Sequence, residues 1–213
     1  MGRYLGPKEK IERRLGERIG MKGERSSSPK SASVRRPYPP GQHGPTRKMR
    51  KLSEFGTQLR IKQKIRMQYR LLEKPLHKLV QAALANRKES PFVQLVRSLE
   101  SRLDNVVFRM GLAQSRDQSR QIVGHGHILV NGRRTKTPSC VVHVGDEIEV
   151  AKRSLNLPLF QTFIPRWFAG AESPAWLTVD RANMKATMQA LPDMESSGIQ
   201  PADLQAIIEY YSR

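Results

Sequence analysis

Residues 115–134 read Ser115-Arg116-Asp117-Gln118-Ser119-Arg120-Gln121-Ile122-Val123-Gly124-His125-Gly126-His127-Ile128-Leu129-Val130-Asn131-Gly132-Arg133-Arg134. Ser115 with Gln118 three residues on is a capping-box pattern that starts a helix. The helix runs through Ile122 and Val123 and should end near Gly124 or Gly126. His127 to Val130 reads as a strand, Asn131-Gly132 is a type I′ hairpin signal, and Arg133-Arg134-Thr135 begins the return strand. Upstream, Phe92, Leu95, Val96, Leu99, Leu103, Val106, Val107 and Met110 recur at helical spacing up to Gly111, as one helix or two. The last four of these pack on Ile122 and Val123. Downstream, Val141–Val144 is a further strand candidate, Gly145-Asp146 turns the chain, and Ile148-Glu149-Val150 alternates as a half-buried strand. Two helices followed by a small sheet therefore occupy residues 101–150.

The flanking sequence is mainly helical or irregular. Pro7 suits a first helical position, and Ile11, Leu15 and Ile19 follow at i+4 spacing, weakened by Gly16 and Gly20. Ser26–Pro29 and the proline-rich run Arg35–Pro45 break periodicity and read as an extended loop whose shape a partner fixes. Ser53 is a candidate N-cap for a helix carrying Phe55, Leu59, Ile65, Tyr69 and Leu72, and Pro75 restarts the chain into a second apolar stripe. In residues 151–213, Trp167, Phe168 and Trp176 are expected to pack against a neighbouring lobe, and 202–211 reads as helix or as ending in a strand. The fold class is α+β.

Charge narrows the function. The 213 residues carry a net charge of +19, which seeks a polyanion. Residues 1–70 hold 20 Lys/Arg against 5 Asp/Glu, whereas 151–213 hold 6 of each. This asymmetry marks a basic nucleic-acid segment on an ordinary globular remainder. Only Tyr4, Tyr38, Phe55 and Tyr69 are aromatic in the first 70 residues, too few for successive base stacking. Phosphate contact with a folded duplex or junction fits better than single-strand binding. No stretch reaches the roughly 18–20 apolar residues of a membrane span, no signal-peptide pattern is present, and a membrane partner is not expected. The single Cys140 leaves no cysteine framework.

The candidate RNA contacts follow this charge. In the N-terminal segment they are Arg3, Tyr4, Lys22, Arg35, Arg36, Gln42, His43, Arg47, Lys48, Arg50 and Lys51. On the basic helix they are Arg60, Lys62, Lys64, Arg66 and Arg70, expected to face phosphate while the other side packs. In the third region they are Arg102, Arg116, Arg120, His125, His127, Asn131, Arg133 and Arg134. Arg116 and Arg120 share a helix face, and with the hairpin tip they would clamp RNA phosphate. Catalysis finds no support. His125 and His127 have no carboxylate or cysteine at ligand spacing, Gly124–His127 lacks the Lys-Ser/Thr of a phosphate loop, and no cofactor or metal is expected.

Three stretches carry a family resemblance. Ser101–Gly111, the Ser115-Arg116 helix start and His127–Arg133 are similar to the S4 RNA-binding domain, which also occurs in pseudouridine synthases and tyrosyl-tRNA synthetases. Gly2–Pro7, Pro39–Gly44, Trp176–Asp180 and Ile208–Arg213 resemble the bacterial-type ribosomal protein S4 family along the whole chain. The resemblance implies a basic rRNA-binding segment at 1–50, a helical lobe at 51–100 rejoined by 166–213, and an S4 domain at 101–165. It implies a structural protein that binds 16S-type rRNA at a helical junction, nucleates assembly of the small-subunit body and influences decoding accuracy. Implied partners are protein S5, other small-subunit proteins and mRNA near its path into the ribosome, in the cytoplasm or an organelle. The rival readings are an RNA-modification enzyme with a borrowed S4 domain and a free translational regulator. Some family members hold zinc on four cysteines; the corresponding positions here are Glu9, Glu12, Ser26 and Ser31. Serine and glutamate do not make a thiolate site, so the segment is expected to be ordered by RNA alone.

Overall fold

The computed structural model describes residues 4–46 and 51–212. In chain order the helices begin with α1 Lys8–Leu15, α2 Glu24–Ser27, α3 Ala32–Arg35, α4 Glu54–Gln68, α5 Glu73–Ala85 and α6 Pro91–Glu100. They continue with α7 Leu103–Arg109, α8 Arg116–Gly124, α9 Lys152–Leu155, α10 Pro165–Phe168, α11 Met194–Ser197 and α12 Pro201–Ser212. A π-helical turn spans Leu159–Phe163. The strands are β1 Ile128–Val130, β2 Arg133–Arg134, β3 Glu147–Val150, β4 Leu177–Asp180 and β5 Lys185–Met188. The chain is mixed α+β and forms two compact units: residues up to Phe92 with Ile199 onward, and Val93–Gly198.

In the helical unit, α12 packs against α4 and α5. Ile65, Met67, Leu76, Val80, Ala83, Leu204 and Ile207 are among its buried apolar residues. Ser53 caps α4, its Oγ accepting from the Gly56 N–H at 3.2 Å. Helix α1 stops at Leu15 and not near Ile19, because Gly16 adopts a left-handed φ of 70° and closes the helix. The serine–proline stretch departs from the loop expectation: Glu24–Ser27 winds one helical turn and ends at Ser28, the residue that Pro29 holds extended. Residues 202–211 are helical throughout.

In the second unit, the periodic run from Phe92 to Met110 divides into α6 and α7 at Ser101-Arg102. No glycine or proline causes this break. The Leu103 and Asp104 N–H groups donate to the Cys140 and Pro138 carbonyls at 2.8 and 3.0 Å, and Val142 donates to Ser101 at 2.8 Å. The 138–142 segment therefore supplies the acceptors for the start of α7. Its commitment to the helices explains why Val141–Val144 is no strand: only Val141 bridges, to Arg102. Asn131 and Gly132 have φ of 50° and 73°, the pair of positive values that a type I′ turn requires.

The antiparallel sheet runs β2-β1-β3-β5-β4. Ile128 faces Val150 across β1–β3, and Ile148 faces Ala186 across β3–β5. These four join Leu103, Val106, Val107, Ile122, Val123, Phe168 and Trp176 in one core. Trp176 and Phe168 thus belong to this unit's own interior. Residues 166–198, expected with the helical lobe, instead belong to the sheet-bearing unit, because β4 and β5 extend its sheet and cover its apolar edge.

Candidate nucleic-acid interface

The N-terminal segment has a polar core of its own. Glu9 accepts from the Ala32 N–H at 3.2 Å and pairs with Lys22 at 3.1 Å and Arg25 at 3.3 Å. Partial burial pushes the Glu9 carboxyl up, but the Lys22 and Ala32 bonds and the two nearby cations outweigh it, and the net shift is downward. Glu12, buried, accepts from Met21 N–H at 3.1 Å, and buried Ser26 accepts from Lys22 N–H at 3.0 Å. Arg13 donates to the Arg36 and Tyr38 carbonyls at 2.9 and 3.0 Å and stacks on the Tyr38 ring. Besides the RNA contacts expected to order it, the segment thus has internal hydrogen bonds of its own. Glu9, Glu12 and Ser26 carry hydrogen bonds here, and Ser31 is fully buried. Among the described residues no group of three or more His, Cys, Asp and Glu gathers at one point.

Of the expected contacts here, Arg35, Arg36, Gln42, His43 and Lys51 are placed at or near the surface. Lys22 is half-buried beside Glu9, and the Tyr4 carbonyl accepts from Arg70 at 2.9 Å. Arg3, Arg47, Lys48 and Arg50 lie outside the described residues.

The basic side of α4 does not present bare cations. Arg60 donates to the Leu15 carbonyl at 2.8 Å. Buried Lys62 lies 2.7 Å from Glu73 and 4.4 Å from the Tyr210 ring centre. Lys64 pairs with Glu17 and Asp203 at 2.7 and 2.9 Å, Arg66 pairs with Glu73 at 3.3 Å, and Arg70 is buried. These side chains stitch α1, α4, α5 and α12 together.

The arginines of α7 and α8 are likewise engaged within the protein. Asp104, 5% exposed, accepts from Arg102 at 3.1 and 2.8 Å and from Arg120 at 2.9 Å. Arg109 grips the fully buried Glu100 through two 2.8 Å bonds. Arg116 donates to Asn105 Oδ1 at 2.8 Å and covers the Phe108 ring. The shared face that spacing assigned to Arg116 and Arg120 exists, but it points at Asn105 and Asp104. Asn131 is tied too: its amide donates to Asp146 at 2.8 Å and accepts from the Glu147 N–H at 2.9 Å.

A different set of cations in the same unit has no carboxylate partner among the described residues. Arg133, Arg134, Lys136, Lys152, Arg153 and His125 are exposed and His127 is half-buried. They lie on the hairpin, the α8–β1 connection and α9. Arg134 donates to the Gly126 and His125 carbonyls at 2.7 and 3.0 Å, which leaves its charge uncompensated. Gly126, φ 72°, leaves room for that guanidinium; a Cβ there would come within 2.5 Å of Arg134 Nε. His127 Nδ1 lies 2.9 Å from Ser154 Oγ, and its ring sits 5.9 Å from His125 and 5.6 Å from Phe160. Burial first, then the positive neighbours His125, Arg134 and Arg153, hold the His127 imidazole below its ordinary value of 6.5. The Ala151 N–H donates to the His127 carbonyl at 2.8 Å, which brings α9 beside the histidines. Sequence reading missed Lys136, Lys152 and Arg153. The signal for the last two was a basic pair directly after a predicted strand.

A pocket of about 530 Å³ is lined by Phe108, Arg109, Trp167, Glu172, Pro174 and Ser196 among others, with one carboxylate and no histidine, cysteine or lysine. Two packed helices, a basic hairpin and an arc of unpaired cations define a nucleic-acid-binding protein. Comparison with known proteins agrees. The "Ribosomal protein S4/S9 N-terminal domain" model matches residues 3–100 and the "S4 domain" model residues 101–148. Small ribosomal subunit protein uS4 of Thermus thermophilus is 46% identical over 213 residues, covering 100% of both chains. The uS4 proteins of Kosmotoga olearia and Thermotoga maritima are 43% and 41% identical, again over 100% of each chain. The chain belongs to the uS4 family of small ribosomal subunit proteins. That family is not one of enzymes, which removes the RNA-modification reading.

Proposed function

We propose that the chain is a structural constituent of the small ribosomal subunit that binds its rRNA through phosphate contacts at a folded helical junction. The arc of uncompensated cations on the hairpin and α9 carries this reading. A cluster of exposed positive charge without carboxylate partners is unfavourable in isolation and is relieved by a polyanion. Arg35, Arg36, Gln42, His43 and Lys51 extend the contact from the helical unit, together with Arg3, Arg47, Lys48 and Arg50. The scarcity of exposed aromatic platforms supports a folded RNA over a single strand. Early binding that organises the body of the subunit, contact with protein S5, a position by the path of incoming mRNA and an influence on decoding accuracy complete the proposal, in a cytoplasmic ribosome.

The test is competition in high salt. The full chain should keep a strong preference for a small-subunit rRNA transcript over duplex DNA of equal charge. Equal affinity for the two would refute the reading, because charge alone would then account for binding.

A further inference from the structure

One histidine of the arc, His127, stands where a phosphate would change its charge. His127 is enclosed by His125 on the α8 C-terminus, Arg134 on β2, Arg153 and Ser154 on α9, and Phe160 of the π-helical turn. No acidic side chain is among these neighbours, and none of the cations is ion-paired among the described residues. Every charge facing His127 is positive, so the free protein disfavours a second proton there. A phosphodiester placed against the arc reverses that balance. Its negative charge offsets Arg134 and Arg153, and the His127 imidazolium gains an acceptor for a charge-assisted hydrogen bond.

We infer that His127, with Arg134 and Arg153, forms an RNA-phosphate site that takes up a proton from solvent when the RNA backbone docks. The inference rests on the rRNA-binding reading and adds a regulated property to it: the grip of this unit tightens as pH falls. The proton moves from solvent to the free imidazole nitrogen, and no covalent bond changes elsewhere. Linkage fixes the sign. Affinity rises as pH drops through the imidazole pKa of the complex, and it stops rising below the pKa of the free protein. One linked proton changes affinity by at most about tenfold per pH unit inside that window.

The experiment uses the full chain and a small-subunit rRNA transcript at constant ionic strength. Affinity should tighten by about threefold to tenfold from about pH 8 to about pH 6. Calorimetry in two buffers of different ionisation enthalpy should register net proton uptake. The variant His127→Gln should lose most of both effects. His143→Gln, at a solvent-facing histidine outside the arc, should keep them. Measurements on the unmodified chain do not depend on the variants folding. Saturable binding with no pH dependence and no proton uptake overturns the inference alone. Uptake that persists unchanged in His127→Gln also overturns it, since the proton would then sit on the RNA or elsewhere. Absence of rRNA binding at every pH sinks the underlying reading instead.

Discussion

Asp104→Ala separates arginines that hold the fold from arginines proposed to meet RNA. Asp104 accepts three hydrogen bonds, two from Arg102 and one from Arg120. The side chains are 7%, 8% and 11% exposed, in the order Asp104, Arg102, Arg120, so water cannot replace the missing carboxylate. Breaking a buried pair from one side costs about 3–5 kcal/mol, because the remaining charge stays desolvated. Here Arg102 loses both of its carboxylate bonds and Arg120 loses one, which puts the cost within that range. With a urea m-value of about 2 kcal/mol/M, the unfolding midpoint should fall by about 2 M. Both tryptophans, Trp167 and Trp176, lie in the sheet-bearing unit, so their fluorescence reports this unit's transition without the helical one. Asp104→Asn, which keeps the shape and one acceptor oxygen, should fall between wild type and Asp104→Ala. Arg133→Ala, at an exposed residue, should shift stability by no more than about 0.5 kcal/mol. If Asp104→Ala unfolds at the same urea concentration as Arg133→Ala, the buried triad contributes nothing and the division of arginines into two classes fails.

Lys152→Ala/Arg153→Ala should leave the urea midpoint unchanged and lower the salt dependence of rRNA affinity by about 0.7–0.9 in slope for each phosphate no longer neutralised; an unchanged slope would place these residues off the RNA. Glu73 is held below its ordinary value: partial burial raises it, but bonds to Lys62 and Tyr211 and the charges of Lys62 and Arg66 prevail. Its folded pKa is depressed, so its contribution to stability is present above the unfolded-state value of about 4.3 and is lost as pH falls through the folded value. Far-UV circular dichroism during acid titration should show the helical unit loosening in that window, and Glu73→Gln should remove that part of the pH dependence. Asn131→Ala should cost about 1–3 kcal/mol through its positive φ and the removal of its bonds to Asp146 and Glu147. Asn131→Gly should recover the backbone part of that loss when both are measured by tryptophan fluorescence in urea.

Local chemistry made the central elements legible. The Ser115 cap forms as its residue types require, with Oγ 3.4 Å from the Gln118 N–H, although Gln118 reaches back to Gln114 and not to the cap itself. Asn131-Gly132 turns the hairpin because those two residues tolerate positive φ at low cost. The divide between α6 and α7 was not legible, since its cause is the distant 138–142 backbone and not a breaker at 101–102. Strands β4 and β5 are four residues each, and their alternation is short. What selects sheet for them is the open edge of β3, a partner that no local pattern reveals.

The candidate site was legible in charge but not in direction, and one physical reason covers both units. Helical spacing establishes that two arginines share a face; whether that face meets RNA depends on the charge packed opposite. Arg120 and Arg134 look alike in the sequence as exposed cations of a basic region. Across the fold Arg120 meets Asp104, sixteen residues away, whereas Arg134 meets only carbonyl oxygens, which orient a guanidinium without neutralising it. The same contrast divides Lys62, which faces Glu73, from Lys152, which faces no acid among the described residues. An unneutralised cation held in place by backbone dipoles is pre-organised for a phosphate, while a cation already paired would have to break a bond to accept one. On this proposal the RNA-facing charge is the part of the +19 that finds no carboxylate partner among the described residues, and mutations on the two sides of that divide should move different observables.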